Sequence, residues 1–123
     1  MKSFLSLCFL LFLFFNSNGQ TKPVSLTEEQ KISRLIEYVK NLKGAVFIRN
    51  GNEHAASEAA SHLERKRKSA GKAIKTASDF ILLCATKSSM TGEEYKIRFS
   101  NGKSFRSADL LQEELKRIQQ SSK

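Results

Sequence analysis

The chain has 123 residues, with 21 Lys and Arg against 12 Asp and Glu, a formal net charge of +9, one proline and no tryptophan. That length is one domain, and the absence of an internal repeat, a low-complexity block or a Pro/Ser linker excludes a repeat array or a tethered second domain. A surface this basic attracts acidic polymers, anionic lipid and acidic proteins alike.

Residues 1–3 carry one positive charge, Lys2. Residues 4–15 (FLSLCFLLFLFF) form an apolar run, and the small residues Ser17 and Gly19 follow it. These are the three parts of a secretory signal. We therefore expect a cleavable signal peptide over residues 1–19, cut between Gly19 and Gln20, and an exported mature chain over residues 20–123, periplasmic or secreted. The run is shorter than the roughly 20 residues needed to span a bilayer, so no transmembrane segment is expected after cleavage. Cys8 lies inside the run and not at its end, which argues against lipid attachment.

Cleavage removes five of the nine Phe residues and Cys8. Cys84 is then the lone cysteine, so no intramolecular disulfide can form. It sits in an apolar run, residues 80–85, and reads as a buried, inert thiol. The mature chain keeps a net charge of about +8 once Lys2 is lost. For an exported protein the matching partner is an envelope protein or an acidic polymer, and nucleic acid is not expected. The plainer alternative is that the excess charge only maintains solubility.

Along the mature chain, Ser25 with Glu28 and Thr27 with Gln30 both have capping-box spacing, and Ile32, Leu35, Ile36, Val39 and Leu42 recur at helical intervals. This predicts a helix over residues 27–43, closed by Gly44. Residues 45–49 are a β-prone run ended by Asn50-Gly51, a tight-turn dipeptide. A weak return strand is expected at 52–55. A second helix covers 57–70, with Ala59, Ala60, Leu63 and Ala70 inward, Glu58, His62, Arg65 and Lys66 along one border, and Gly71 at its end. Thr76 and Asp79 introduce a third helix over 77–87, whose Phe80, Ile81, Leu83 and Cys84 make it apolar nearly all round. After a turn at 88–92, residues 94–99 alternate, with Tyr95, Ile97 and Phe99 on one side. A hairpin through 100–102 returns along 103–106. Ser107 caps a last helix with Leu110, Leu111, Leu115 and Ile118 inward. The order α-β-α-α-β-β-α, with a core over about 27–118, is an α+β fold: about four helices on one face of a short antiparallel sheet.

No motif here carries chemistry by itself. His62 stands four residues from both Glu58 and Lys66, so the three share a helix edge. It reads either as a base oriented by Glu58 or as a boundary histidine bonded to its neighbour. Ser88 and Ser89 have no nucleophile-elbow surroundings and read as hydroxyls that satisfy backbone groups at the end of the third helix. Arg65, Lys66, Arg67 and Lys68 point in four directions on a helix, so they form no single basic stripe. No second histidine or cysteine falls at metal-ligand spacing, and neither metal nor cofactor is expected.

Four segments occur together in order: Phe47-Ile48-Arg49-Asn50-Gly51; residues 58–66 (EAASHLERK); Thr76-Ala77-Ser78-Asp79-Phe80-Ile81; and residues 88–95 (SSMTGEEY). The series resembles the YfeK-like family of uncharacterised bacterial exported proteins, a domain of unknown function, over residues 35–118. The resemblance implies a signal peptide, a bacterial envelope setting and one small domain; it implies no activity. The chain departs from that pattern at His54, where an aromatic residue is usual, at Glu94, where proline is, and near Leu110, where tryptophan is.

The leading expectation is a non-enzymatic envelope module that binds a protein or acidic polymer through a basic surface. Its candidate residues are Arg49, Asn50, Glu58, His62, Arg65, Lys66, Ser88, Ser89 and Tyr95. Two other classes stay open: a small hydrolase or transferase pairing His62 with Ser88 or Ser89, and a structural or chaperone-like protein presenting an apolar patch.

Overall fold

A computed structural model describes residues 25–121; the signal segment and its cut site lie outside the described residues. The elements are α1 (Glu28–Lys40), β1 (Ala45–Arg49), β2 (Asn52–His54), α2 (Ala56–Ala70), a 3-10 turn (Gly71–Ala73), α3 (Ala77–Cys84), β3 (Lys96–Phe99), β4 (Ser104–Arg106) and α4 (Ser107–Ser121). The domain is α+β, as the patterning predicts, and the weak return strand forms as β2.

The capping boxes set two helix starts. Thr27 Oγ1 accepts from the Gln30 amide at 3.1 Å while Gln30 Oε1 accepts from the Thr27 amide at 2.9 Å. Thr76 and Asp79 repeat the exchange at α3. Each box satisfies amides that a helix start leaves unpaired.

The four strands form one antiparallel sheet in the order β2-β1-β3-β4. Its centre joins distant parts of the chain, pairing Ala45 with Phe99 and Phe47 with Ile97. Side chains alternate across a strand, so Phe47 and Ile97 share the face covered by the helices, and both are buried. The same parity puts Arg49 on that face, one step beyond the core. The opposite face carries Val46, Ile48, Lys96 and the pair Glu53–Arg98.

Between the sheet and the helices lie Leu35, Val39, Phe80, Ile81, Cys84, Ile97, Leu111 and Ile118, all nearly inaccessible. Burial pushes the Cys84 thiol up, away from the reactive thiolate, in keeping with an inert core residue.

Five details differ from the sequence reading. Helix α1 ends at Lys40 with Asn41 as its cap, so Gly44 does not terminate it. Gly44 instead turns the chain into β1 at φ +65, where its carbonyl accepts from the Ser100 amide at 2.9 Å. Helix α2 starts at Ala56, behind Ala55, which supplies no side-chain cap. Helix α3 stops at Cys84, because the following residues pair with a loop: the Tyr95 amide donates to Thr86 O and the Ser88 amide to Glu93 O. Nor is α3 buried all round. Only its Ala77, Phe80, Ile81 and Cys84 stripe faces the core, leaving Leu82 67% and Leu83 45% exposed. At the last boundary β4 runs directly into α4, and Ser107 is that helix's first residue, its amide donating to Tyr95 O at 2.9 Å.

Candidate functional site

Two connected depressions lie where the end of β1, one edge of α2 and the loop before β3 meet. The larger is an open groove of about 670 Å³ containing Arg49, Asn50, His62, Lys66, Ser88, Ser89 and Tyr95. The smaller shares Arg49 and adds Glu58 and Arg65. All nine residues singled out from the sequence therefore fall in one region, although they come from segments almost 40 residues apart.

Tyr95 organises the groove. Its backbone is pinned on both sides, to Thr86 and Ser107, and its ring is only 8% exposed. Lys66 Nζ lies 5.0 Å from the ring centroid and donates to Tyr95 Oη at 3.1 Å and to Lys87 O at 3.2 Å. A lysine ammonium only donates, so the phenol accepts from it and turns its own proton to His62 Nε2, 3.3 Å away. His62 stands edge-on to the ring, with centroids 5.9 Å apart. The chain of donors thus runs Lys66 to Tyr95 to His62, and it requires a neutral imidazole.

The electrostatics agree. The His62 pKa is lowered to about 4, first by burial and then by Arg49, Lys66, Arg65 and His54. Arg49, Lys66 and Arg65 thus crowd three cations around this imidazole.

The Asn50-Gly51 turn carries positive φ at both residues, +53 and +77, the geometry that joins β1 to β2 as a tight hairpin. That turn aims the Asn50 amide at the opposite loop. Asn50 Nδ2 donates to Ser88 Oγ at 3.3 Å, and Thr91 Oγ1 donates to Asn50 Oδ1 at 2.6 Å. Ser88, 5% exposed, also accepts from the amides of Met90 and Thr91 at 3.3 and 3.4 Å. Its hydroxyl is an organiser of the 88–92 turn, the structural role read from the sequence, although it serves the turn and not the end of α3.

Arg49 differs from its neighbours. It is half-buried, yet among the described residues its guanidinium forms no hydrogen bond or ion pair. The carboxylate that borders the smaller depression with it, Glu58, is engaged with His54.

The pairing of His62 with Glu58 expected from their spacing does not form. Glu58 Oε2 lies 3.1 Å from His54 Nδ1, and His62 turns across the groove to Tyr95. Nothing local could have shown this, because the deciding partner is 33 residues away. No hydrogen bond joins His62 to Ser88 or Ser89 among the described residues. The His62 lone pair at Nε2 is occupied by the Tyr95 proton, and Ser88 Oγ accepts from three donors. The basic run divides as its helical spacing predicts: Lys66 enters the groove, whereas Arg67 reaches across α1 to Ser33 Oγ at 3.3 Å.

Sequence reasoning missed the apolar lip. Leu83 from α3 and Met90 from the turn border the groove, and Met90 is 93% exposed. A large apolar residue within the polar turn 88–92 was the available signal. The arrangement can hold an anion against Arg49 and Lys66; it presents no activated nucleophile. Among the described residues, no three of His, Cys, Asp and Glu are placed to hold a metal ion.

A family model described as a family of unknown function, DUF5329, matches residues 26–119, almost the entire described chain. The chain belongs to this family. The whole groove lies inside the DUF5329 match. A curated relative, "Uncharacterized protein YfeK" from Salmonella typhimurium, is 38% identical over 72 residues, covering 58% of this chain and 60% of the relative's length. The resemblance read from the four sequence segments is thereby shown at the level of family. No solved structure matches the chain. DUF5329 membership carries no activity, so the functional reading rests on the groove itself.

Proposed function

We propose that this DUF5329 protein is a non-enzymatic binding module of the bacterial envelope whose basic groove receives the acidic groups of a partner. The observation that carries the proposal is the half-buried Arg49 guanidinium without an acidic partner, next to Lys66 and a neutral His62. A partly buried charge without a counter-charge is unfavourable, and an incoming carboxylate would complete it with charge-assisted hydrogen bonds. The net charge of about +8 that remains once Lys2 is removed supports the same reading, since it draws polyanions toward the surface.

Export is part of the proposal. It is supported by the basic start, the apolar run at 4–15 and the small residues before Gln20. Mass spectrometry of protein isolated from cells should find a mature chain beginning at Gln20 in the periplasmic or extracellular fraction. A cytosolic protein that keeps residues 1–19 would overturn the envelope assignment.

Binding is tested with fluorescently labelled polyglutamate. Affinity should fall steeply as ionic strength rises, and Arg49→Gln should weaken it about tenfold, the worth of one charge-assisted contact. Arg49→Lys should recover part of the loss. An affinity indifferent to salt, or equal in Arg49→Gln, would remove the basis for the proposal.

A further inference from the structure

The same groove that concentrates positive charge also exposes apolar surface. Among the described residues four large apolar side chains are exposed: Leu82, Leu83, Met90 and Phe105. Leu83 and Met90 lie together on the lip of this groove, with Ala70 and Ala73 between α2 and α3. A solvated cation site gains nothing from such a border. Apolar surface clustered at one side of a polar cleft is instead a mark of an interaction site, and methionine is a side chain that adapts to varied apolar partners.

Resting on the reading of the groove as an acid-binding site, we infer that its partner is a protein, bound through an acidic peptide segment with an apolar side chain beside its carboxylates. The carboxylates meet Arg49 and Lys66, and the apolar side chain lies against Leu83 and Met90. A groove of about 670 Å³ is within the usual size of ligand clefts, about 300–1,000 Å³. The Asn50 carboxamide and the exposed Ser89 hydroxyl offer polar groups to a peptide backbone.

Two rival acidic ligands fit less well. An acyl chain needs an enclosed apolar channel. The apolar crevice that shares Arg49, His62 and Tyr95 with the groove and reaches Val39, Phe47, Leu63 and Leu111 holds about 40 Å³, far below the usual size of ligand clefts, about 300–1,000 Å³. An acidic polysaccharide would gain from an open aromatic face on which to lay its rings. The ring within this groove belongs to Tyr95, which is buried and covered by Lys66.

The test uses the full mature protein and four probes: an acetylated peptide of glutamates around one leucine, the same peptide with serine for leucine, an oligogalacturonate of equal charge, and phosphatidylglycerol vesicles. The leucine peptide should bind about tenfold more tightly than the serine peptide, the gain expected from burying one aliphatic side chain. That advantage should vanish in the double variant Leu83→Ser, Met90→Ser, while binding of the serine peptide stays within about twofold. Met90→Ser alone, at an almost fully exposed position, should remove about threefold of the advantage and leave the thermal midpoint in place. Equal affinity for the two peptides, or an advantage that survives the double variant, overturns the inference and leaves the acid-binding reading standing. Tighter binding of oligogalacturonate or vesicles overturns it in favour of those ligands. If Arg49→Gln binds every probe as the wild type does, the underlying acid-binding reading fails first.

Discussion

The faces of α1 and α4 and the groove beside α2 border the same core but treat charge in opposite ways. On α1, Lys31 meets Glu28 at 2.6 Å; on α4, Arg117 forks onto Glu114, and Asp109 accepts from Arg106 at the end of β4. At the groove, Arg49 and Arg65 form no ion pair among the described residues, and both act with Lys66 to disfavour a charged His62. The apolar residues divide the same way. Leu111, Leu115 and Ile118 of α4 are buried, whereas Leu83 and Met90 at the groove stand in solvent. One region is arranged for stability and the other leaves interactions unmade, which is the physical condition for binding something else.

That contrast can be broken or sharpened experimentally. The largest effect belongs to the core: Phe80→Ala should lower the unfolding free energy by about 3–5 kcal/mol, seen as a large fall in the thermal midpoint. A loss below about 1 kcal/mol would mean that the centre of the domain is not where the structure puts it.

Next in size is acid sensitivity. His62 has a folded pKa of about 4, below its ordinary value of 6.5, so the unfolded chain binds its proton first. Its contribution to stability is complete above pH 6.5 and is lost as pH falls through 4. We expect about 1–2 kcal/mol over that window, less than full linkage because the imidazole is partly solvated. His62→Gln should flatten it. The depressed carboxyls of Glu28, bonded to Lys31, and Asp79, bonded to the amides of Lys75 and Thr76, act below the ordinary carboxylate range and leave a separate, more acidic loss. Urea titrations from pH 3 to 8 separate the two, and an unchanged slope in His62→Gln would count against the Tyr95–His62 arrangement.

An effect of similar size, about 1–2 kcal/mol, is expected for Asn50→Ala. It removes the two side-chain bonds that hold the 88–92 turn and a residue suited to positive φ. Hydrogen exchange at Met90 and Thr91 should quicken while α4 is unaffected. The smallest change is a gain. Arg49→Gln should raise stability by about 0.5–1 kcal/mol, because it relieves a half-buried cation that has no counter-charge. A loss of stability there would show that Arg49 supports the fold and is not held ready for a ligand.

The local rules carried far along this chain. Thr27 with Gln30 and Thr76 with Asp79 form the capping boxes their spacing predicts, and Tyr95, Ile97 and Phe99 line one side of the β3 region. These features are legible because each depends on residues a few positions apart. Element ends were less legible. The lengths of α1 and α3 depend on where Gly44 meets Ser100 and where Thr86 meets Tyr95, contacts between segments distant in the chain.

The sequence by itself determined the α+β class, the starts of α1 and α3 and the family, and it offered nine residues as a candidate surface. Only the tertiary structure decided that those nine converge, that His62 answers to Tyr95 and not to Glu58, that Arg49 has no counter-charge, and that an apolar lip stands beside it. The physical reason is range. Caps and periodicity act over three or four residues, whereas a site is made when antiparallel pairing of β1 with β3 brings residues 49 and 95 to the same edge of the sheet.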